Sequence, residues 1–344
     1  MPDGRRRRWW ADPVTALALV IAGLLGLVLF LPDSGPAPVD ASTRGGPAAV
    51  GTVQEVLPSG PPIAPRAGTL TTRSGATATG GRARPATGRR ANTCVAAGPR
   101  IAVATFNIHS GFNRAHNRVE IDRIADEIAA LQADVVLLQE VDRNRAWNGR
   151  IDEPGILAER LSMYYAFAPN VVRPGDSQYG TAVLSKFPIV DLDNTLLPRF
   201  PDAQQRGLLR VRIQPYGTTV DVYNTHLEAS SAANRLAQAR VIRDLLASST
   251  VPTILGGDLN AYPGTDVMAT LRTVLSDSWE RVGAGAGYTH PAWSPRGRID
   301  YLLYRGDVTP LDSVVVPGAV SDHAAVRGLF QIGSQTAVCL PNLG

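Results

Sequence analysis

Cysteine and aromatic residues are scarce in this chain, and both are unevenly distributed. Only Cys94 and Cys339 occur among its 344 residues, so it can hold at most one internal disulfide. Between Asp33 and Thr93 there is no aromatic residue, and Gly, Pro, Ala, Thr and Arg predominate. Such a segment cannot bury enough apolar surface to offset the entropy lost on ordering. We therefore predict a disordered linker over residues 33–93 and assign it no chemistry.

The positive charge of the chain is confined to its N-terminal part. Residues 1–93 contain 11 Arg against 5 Asp and Glu, a net charge of +6, whereas the whole chain carries +4. Residues 94–344 therefore carry −2. Net charge gives no support to a basic nucleic-acid footprint on this larger part, although a local basic patch is compatible with it.

An uncharged apolar run of 18 residues, Val14 to Leu31, follows four arginines and Trp9-Trp10. This length suits a membrane-spanning helix, with the tryptophans at the interface and the arginines on the cytoplasmic side. We predict a cytoplasmic N-terminus over residues 1–12, a transmembrane anchor over 13–32 and an extracytoplasmic domain over 94–344, held at the cell membrane.

A cleavable signal peptide is the alternative, because Val39-Asp40-Ala41 offers a small-residue cleavage site; the protein would then be secreted. Either route exports the domain to an oxidising compartment. Cys94 and Cys339 bracket the domain, and domain termini often lie close together, so we expect a disulfide between them. Two free thiols on frayed ends are the other interpretation.

Strand and helix patterns alternate irregularly along the domain and include a hairpin. The predicted strands cover residues 101–107, 134–139, 181–184, 208–213, 220–224, 253–255, 300–303, 313–316 and 324–330, and the predicted helices cover 119–131, 156–161, 232–246 and 266–275. This order favours an α/β fold of two packed sheets covered by helices over a doubly wound parallel sheet. The polar motifs follow strand ends, where rigid scaffolds present functional groups.

Two motifs place carboxylates next to such strand ends. Glu140, in Gln139-Glu140, ends an apolar strand, where a carboxylate must be paired, hydrogen-bonded or metal-bound. Taken alone, it is more often a capping or salt-bridging residue. Asp258 and Asn260 follow two glycines in GGDLN. Asn can donate a hydrogen bond to a phosphate oxygen while Asp stays an acceptor, and a simple Asx turn is the alternative.

The Ser321-Asp322-His323 motif is the strongest pair. Asp322 can bind a metal, and His323 can act as a general base if an acceptor fixes its second ring nitrogen; Asp300, in RIDY, is the candidate acceptor. His226 follows the strand 220–224 and is the second imidazole. Carboxylate and amide oxygens suit Mg²⁺ or Mn²⁺ rather than zinc, so the motifs together indicate a metal-dependent phosphoesterase. Two histidines lack supporting context and are interpreted as loop residues: His116 and His290.

In the order NIH, QE, NTHL, GGDLN, RIDY and SDH, these motifs resemble the endonuclease/exonuclease/phosphatase superfamily, which has the deoxyribonuclease-I-like fold. The resemblance implies a four-layered α/β sandwich of two packed mixed sheets flanked by helices, with the site at one edge of the sheets. It also implies Mg²⁺ or Mn²⁺ as cofactor, supported by Asn107, Glu140 and Asp322.

The same resemblance implies roles for the remaining motif residues. Asp258 would orient or activate the attacking water, and Asn260 would bind the phosphate. His323, oriented by Asp300, would be the catalytic histidine, and His226 would polarise the phosphate or serve the leaving group.

One residue departs from the family pattern, and another has two interpretations. Thr181 stands where the family's corresponding strand usually carries Asn, which puts a polar substrate contact in doubt and leaves the metal centre intact. Arg206, just before a strand, is interpreted either as a phosphate contact or as a surface arginine.

We therefore expect an exported, membrane-tethered, monomeric enzyme that hydrolyses phosphate esters by metal-assisted attack of water. A lipid or small phosphodiester fits the tether and the net-acidic domain. A nuclease acting on DNA or RNA is the alternative, although no contiguous aromatic-plus-basic stretch indicates a stacking platform. A non-catalytic binding module on the same scaffold predicts damaged motifs, and all of them are present.

Overall fold

The structure is a computed structural model that describes residues 54–56, 93–95, 98–333 and 338–340. Its strands are β1 (Gln54–Val56), β2 (Thr93–Val95), β3 (Arg100–Asn107), β4 (Phe112–Asn113), β5 (Arg118–Val119), β6 (Val135–Arg143), β7 (Tyr164–Arg173), β8 (Ser177–Ser185), β9 (Ile189–Leu196), β10 (Gly207–Ile213), β11 (Val220–His226), β12 (Thr253–Asp258), β13 (Ser276–Asp277), β14 (Asp300–Arg305), β15 (Val308–Val316), β16 (Ala325–Ile332) and β17 (Val338–Leu340). Its α-helices are α1 (Ile121–Ala130), α2 (Glu153–Leu161), α3 (Ala232–Ala247), α4 (Asp266–Leu271) and α5 (Ser278–Val282).

Most of these strands belong to two mixed sheets. The first has seven strands in the order β1-β7-β8-β6-β3-β16-β15, and the second has six in the order β13-β14-β12-β11-β10-β9. Each sheet contains one parallel pair, β3 with β6 and β11 with β12, among antiparallel neighbours. Because β3, β6, β11 and β12 therefore end on the same side of their sheets, the side chains that follow them meet at one edge.

Three clusters of buried apolar side chains show how the layers pack. The cluster between the sheets joins residues such as Val103 and Leu137 of the first sheet to Val222 and Ile254 of the second. The outer face of the first sheet packs on α1 and α2, and the outer face of the second packs on α3 and α4. Each fully buried Leu, Ile or Phe in these clusters contributes about 1.5–3 kcal/mol. The expected helix-sheet-sheet-helix order is therefore present.

The predicted elements recur with shifted ends, and several others were missed. Among the described elements, eight strands and one helix were not predicted: β1, β2, β4, β5, β7, β9, β13, β17 and α5. Strands β12 and β6 extend beyond the predicted 253–255 and 134–139. The extension of β12 matters for function, because Gly256, Gly257 and Asp258 lie within the strand and not in a turn after it. A β-carbon on Gly256 would lie 2.5 Å from a methyl group of Leu137 on the facing sheet, so glycine here permits close packing of the two sheets.

A buried polar network joins the two sheets directly behind this edge. Gln139 on β6 donates to Oδ1 of Asn224 on β11 over 2.7 Å, and Asn224 donates to the carbonyls of Leu138 and Ala182, each over 2.8 Å. Both amide side chains are fully buried. Since leaving any of these buried groups unpaired is costly, the network holds β6 and β11 at one separation.

The predictions for the N-terminal part fall mostly outside the described residues. This applies to the cytoplasmic segment 1–12, the anchor 13–32 and most of the linker 33–93; Gln54–Val56, within that linker, pairs with β7. Among the described residues, no helix combines the length and apolar character needed to cross a membrane. Strands β2 and β17 pair with Cys94 directly opposite Cys339. The disulfide stays a prediction, because the side chains of these strands are not described.

Candidate active site

Three polar side chains lie in a row at the edge of the second sheet. His226, the last residue of β11, pairs with Asp258, the last residue of β12, and Asp258 pairs with Asp300, the first residue of β14. All three are at least 96% buried. Register alone therefore brings together residues that lie up to 74 positions apart in the sequence.

Asp258 is the centre of the cluster. Its Oδ1 accepts the backbone N–H of Asn260 over 2.9 Å, and its Oδ2 accepts the side-chain amide of Asn107 over 3.1 Å. The same Oδ2 lies 3.5 Å from Nε2 of His226 and 3.7 Å from Nε2 of His323. Burial and the neighbouring carboxylate of Asp300 raise the pKa of Asp258, although His323 partly offsets them. Asp258 is thus poised to accept a proton near neutral pH.

His323 is held both through its ring and through its backbone. Its Nδ1 lies 2.9 Å from Oδ2 of Asp300, the acceptor expected from the sequence. Its backbone N–H donates to Oγ of Ser321, which in turn donates to the carbonyl of Asn107 over 2.6 Å. Burial alone would lower the pKa of His323, but the carboxylates of Asp300 and Asp258 outweigh it and raise that pKa to about 10. The ring is therefore an imidazolium at neutral pH.

His226 has the opposite electrostatic environment. Burial, together with the positive charges of Arg206 and His323, lowers its pKa well below the ordinary value. Its Nδ1 is buried and has no hydrogen-bond partner. The site thus holds one neutral and one charged imidazole on either side of Asp258, and such a split in pKa is typical of acid–base catalysis.

The first sheet contributes Asn107 and Glu140. Asn107 ends β3, and its amide donates both to Glu140, over 2.9 Å, and to Asp258, over 3.1 Å. Glu140 lies at an irregularity of β6 between Leu138 and Val141, with a left-handed φ of 55°. This bulge turns the half-buried carboxylate toward the second sheet, so the two sheets share one polar cluster.

Asp322 and Asn260 occupy less central positions. Oδ1 of Asp322 lies 3.8 Å from Nδ1 of His109, at the more open side of the cluster. Asn260 has a left-handed φ of 47°, and its side-chain amide donates to the carbonyl of Leu227 over 3.1 Å. In this arrangement Asn260 stabilises the turn after β12, and its role as a phosphate contact stays a prediction.

Comparison with known proteins agrees with this geometry. The model of the endonuclease/exonuclease/phosphatase family matches residues 104–323, which is more than half of the chain and includes every site residue above. The chain belongs to this family.

Individual relatives extend the comparison. The chain is 30% identical over 202 residues to the protein cwh43 of Schizosaccharomyces pombe, covering 58% of this chain but only 19% of cwh43. It is 27% identical over 215 residues to the uncharacterized protein YbhP of Escherichia coli, covering 59% of this chain and 84% of YbhP. A solved structure of a family member from Beutenbergia cavernae superposes with a TM-score of 0.60 at 27% identity, covering 69% of this chain and 72% of that one.

The residues of this family member fit a divalent cation. Three carboxyl groups, those of Asp258, Asp300 and Asp322, act on the imidazolium of His323, and Asn107 joins a fourth, that of Glu140, to the cluster. Oδ1 of Asp300 is buried without a hydrogen-bond partner. The cluster therefore carries excess negative charge that hard oxygen ligands would share with Mg²⁺ or Mn²⁺.

One group that could hold a metal is Asp258, Asp300 and His323, whose ligand atoms lie within 4.8 Å of one another. His323, however, is protonated and already hydrogen-bonded to Asp300. The ligand set of Glu140, Asn107 and Asp322 expected from the sequence stays a prediction. In this structure Asn107 turns its amide nitrogen toward Glu140, and its Oδ1 accepts the backbone N–H of His109 over 3.0 Å.

Two residues lie beside the site although the sequence did not place them there. Arg206 had two interpretations, and His290 was interpreted as a loop residue without supporting context. Arg206 is only 5% exposed, which rules out the interpretation as a surface arginine. It hydrogen-bonds the side chain of Tyr179. Its Nε lies 3.9 Å from Oε2 of Glu228, at ion-pair distance, and has no hydrogen-bond partner. The ring of His290 lies 4.7 Å from that of His323, so His290 is not a remote loop residue. The cis bond to Pro291 that follows His290 could not be read from the pattern.

Proposed function

We propose that this protein is a Mg²⁺-dependent phosphodiesterase that cleaves a phosphate ester by direct attack of water. The observation that carries the proposal is the pair of imidazoles of His226 and His323, whose Nε2 atoms lie 3.5 and 3.7 Å from the same Oδ2 of the buried Asp258. The opposite directions in which the pKa values of the two rings are shifted support it. Hydrolysis needs one group that takes a proton and others that stabilise the charge that develops on phosphorus.

Each residue of the site has its own role in the proposed hydrolysis. Water attacks phosphorus, Asp258 takes its proton, the bond to the leaving oxygen breaks, and that oxygen takes a proton from solvent. His323, held by Asp300, donates from Nε2 to a phosphoryl oxygen and neutralises the charge that builds up there. His226, neutral, adds a hydrogen bond to the phosphate from the other side. A divalent cation held by Glu140, Asn107 and Asp322 would supply Lewis-acid polarisation of the phosphoryl group.

We also propose that the enzyme works outside the cytoplasm, tethered to the membrane. Support comes from the apolar run Val14–Leu31 with its flanking arginines and tryptophans, and from the placement of Cys94 opposite Cys339. Protease added to intact cells should cut the domain, and labelling with a thiol reagent should require prior reduction. Protection of the domain from protease in intact but not in lysed cells would contradict this placement.

The decisive experiment is hydrolysis by the full-length protein, purified in detergent, with Mg²⁺ or Mn²⁺. The substrates are bis-p-nitrophenyl phosphate, duplex DNA, RNA, sphingomyelin and phosphatidylinositol phosphates, and the controls are EDTA and Glu140→Gln. Turnover that disappears in both controls supports the proposal. A folded protein that turns over none of these substrates with either metal would count against it.

A further inference from the structure

Helix α1 contacts the loop that carries Asp322 and His323. Oε1 of Glu127, in the second half of α1, accepts the backbone N–H of Ala319 over 2.7 Å and that of Val320 over 3.2 Å. Hydrogen bonds from N–H groups to a carboxylate are roughly twice as strong as those between neutral groups. In the part of the chain that the structure describes, Glu127 is the side chain that fixes both of these N–H groups.

The other oxygen of the same carboxylate is enclosed. Oε2 of Glu127 is buried without a hydrogen-bond partner and lies against Gly318, where a β-carbon would come within 2.6 Å of it. The φ of Gly318 lies outside the left-handed region, so the backbone itself does not require glycine. Glycine at this position therefore serves the close approach of the carboxylate to the loop.

Two residues connect this contact to the catalytic histidine. Val320 is buried in the apolar cluster between α1 and the first sheet. Ser321 follows it, donates to the carbonyl of Asn107 over 2.6 Å and accepts the backbone N–H of His323 over 3.1 Å. The position of Val320, which Glu127 holds, therefore sets where Ser321 and His323 lie.

The bonds on the far side of the loop begin only at Asp322. The N–H of Ala292 donates to the carbonyl of Asp322 over 2.7 Å, and the N–H of Ala324 donates to the carbonyl of Thr289 over 2.8 Å. These bonds hold residues 322–324, whereas Glu127 holds residues 319 and 320. Loss of Glu127 should therefore release the start of the loop while its end stays attached, which displaces the site without unfolding the domain.

We propose that Glu127 is a positioning residue that fixes the loop so that Asp322 and Nε2 of His323 face the substrate phosphate. This inference rests on the proposed phosphodiesterase activity and adds to it a residue from the outer helix layer. Because a displacement of about 1 Å at a reacting group costs roughly 10²-fold in rate, a contact outside the catalytic cluster can control turnover.

The test compares Glu127→Ala, Glu127→Gln and Gly318→Ala in the full-length protein in detergent, with bis-p-nitrophenyl phosphate as substrate. In Glu127→Ala, kcat should fall by roughly 10–100-fold while KM changes by less than about threefold. Glutamine keeps an oxygen acceptor of the same shape, so Glu127→Gln should recover most of kcat. Gly318→Ala should also lower kcat, because its methyl group displaces the carboxylate.

Two matched controls should behave as the wild type. Asp126→Ala removes a carboxylate from an exposed position of the same helix. Gly264→Ala adds a methyl group where a β-carbon meets no atom within 4 Å. A loss of kcat in these variants as large as that in Glu127→Ala and Gly318→Ala would contradict a specific contact between Glu127 and the loop.

The double variant Glu127→Ala/Gly318→Ala separates this contact from general damage. With the carboxylate removed, the added methyl group has room, so the double variant should be no slower than Glu127→Ala. Losses that multiply would overturn the proposal, and so would a wild-type kcat in Glu127→Ala.

A second readout does not depend on turnover. In protein with isotope-labelled histidine, without metal or substrate, the Nδ1 proton of His323 that bonds to Asp300 should shift or broaden in Glu127→Ala and recover in Glu127→Gln. An unchanged Nδ1 resonance in Glu127→Ala would overturn the positioning role. Absence of hydrolysis by the wild type is the separate failure of the proposed function, and this resonance still decides the role of Glu127 in that case.

Discussion

In the second sheet, His226, Asp258 and Asp300 occupy paired positions on three adjacent strands, and none of them has a positive φ. In the first sheet, Glu140 projects from a bulge with a φ of 55°, and His109, just beyond Asn107, has a φ of 49°. A left-handed conformation costs a non-glycine residue roughly 1–2 kcal/mol. One half of the site is therefore set by strand register, and the other half is held against local strain.

The two halves also differ in burial. The residues of the second sheet are almost completely enclosed, whereas Glu140 and Asp322 are half-buried. Enclosure shifts the pKa values of His226 and Asp258, while partial exposure leaves room for an ion and substrate to reach Glu140 and Asp322. This difference supports the proposal that the second sheet handles protons and that the first sheet binds the metal.

Glu140→Gln tests the half contributed by the first sheet and should have the largest effect. The amide keeps the shape of the side chain but removes the charge that would hold the cation, so kcat/KM should fall by roughly a thousandfold or more. Steady-state kinetics over a Mg²⁺ titration measures this, and the unfolding midpoint should stay near that of the wild type. Asp126→Asn, on an exposed helical position, is the matched carboxylate-to-amide control. If the kcat/KM of Glu140→Gln lies within tenfold of the wild-type value, Glu140 does not hold the metal.

Asp300→Asn tests the half contributed by the second sheet. The amide preserves packing but removes the negative charge that orients His323 and raises its pKa, so kcat should fall by roughly 10²–10⁴-fold. Asp300 acts through His323 as a positioning residue. The pKa of His323, followed by NMR of the imidazole nitrogens, should therefore drop in the same variant. Asp307→Asn, in the exposed turn at the other end of β14, is the control. A normal rate or an unshifted His323 would contradict the assignment.

The sequence was a good guide to the half set by register. Alternating apolar strands predicted where β11, β12 and β14 lie, and polar residues at strand ends identified His226, Asp258 and Asp300. It could not give the bulge at Glu140 or the bond from Asn107 to Asp258, because both depend on how two separated sheets meet. Arg206 and His290 stayed hidden for the same reason, since their neighbours at the site are distant in sequence.

Arg206 lies between the halves, beside His226 of the second sheet and hydrogen-bonded to Tyr179 of the first. Its guanidinium is buried, and its Nε has no hydrogen-bond partner and lies 3.9 Å from Oε2 of Glu228, so Arg206 should contact the phosphate or a flanking oxygen. Arg206→Ala should reduce kcat/KM by roughly 10–100-fold, and Arg206→Lys should recover part of the loss. Arg210→Ala is the control, because Arg210 lies on β10, the strand that directly follows Arg206, and pairs with the exposed Asp191. Equal kinetics in the Arg206→Ala and Arg210→Ala variants would make Arg206 merely structural.

Substitution of the buried Glu153 tests what stabilises the strained half of the site, which contains Glu140. Glu153 is fully buried at the start of α2 and accepts the backbone N–H of Asp142 over 2.8 Å and the amide of Asn148 over 3.1 Å, just beyond the bulge at Glu140. Burial raises the pKa of Glu153 to about 8. Because the folded state then binds a proton that the unfolded state has released, stability falls as pH rises from the ordinary carboxyl pKa toward 8.

Urea unfolding of the wild type should therefore show a free energy of unfolding that declines by roughly 1–3 kcal/mol between about pH 5 and pH 8. In Glu153→Gln the decline between about pH 5 and pH 8 should be smaller than in the wild type. The decline that remains comes from Asp142, Asp258 and His323, whose pKa values are also raised. Glu159→Gln, an exposed position on the same helix, should keep the wild-type slope. An identical pH slope in the Glu153→Gln variant would mean that the protonation state of Glu153 does not support the bulge at Glu140, and that packing and hydrogen bonds hold the bulge in place.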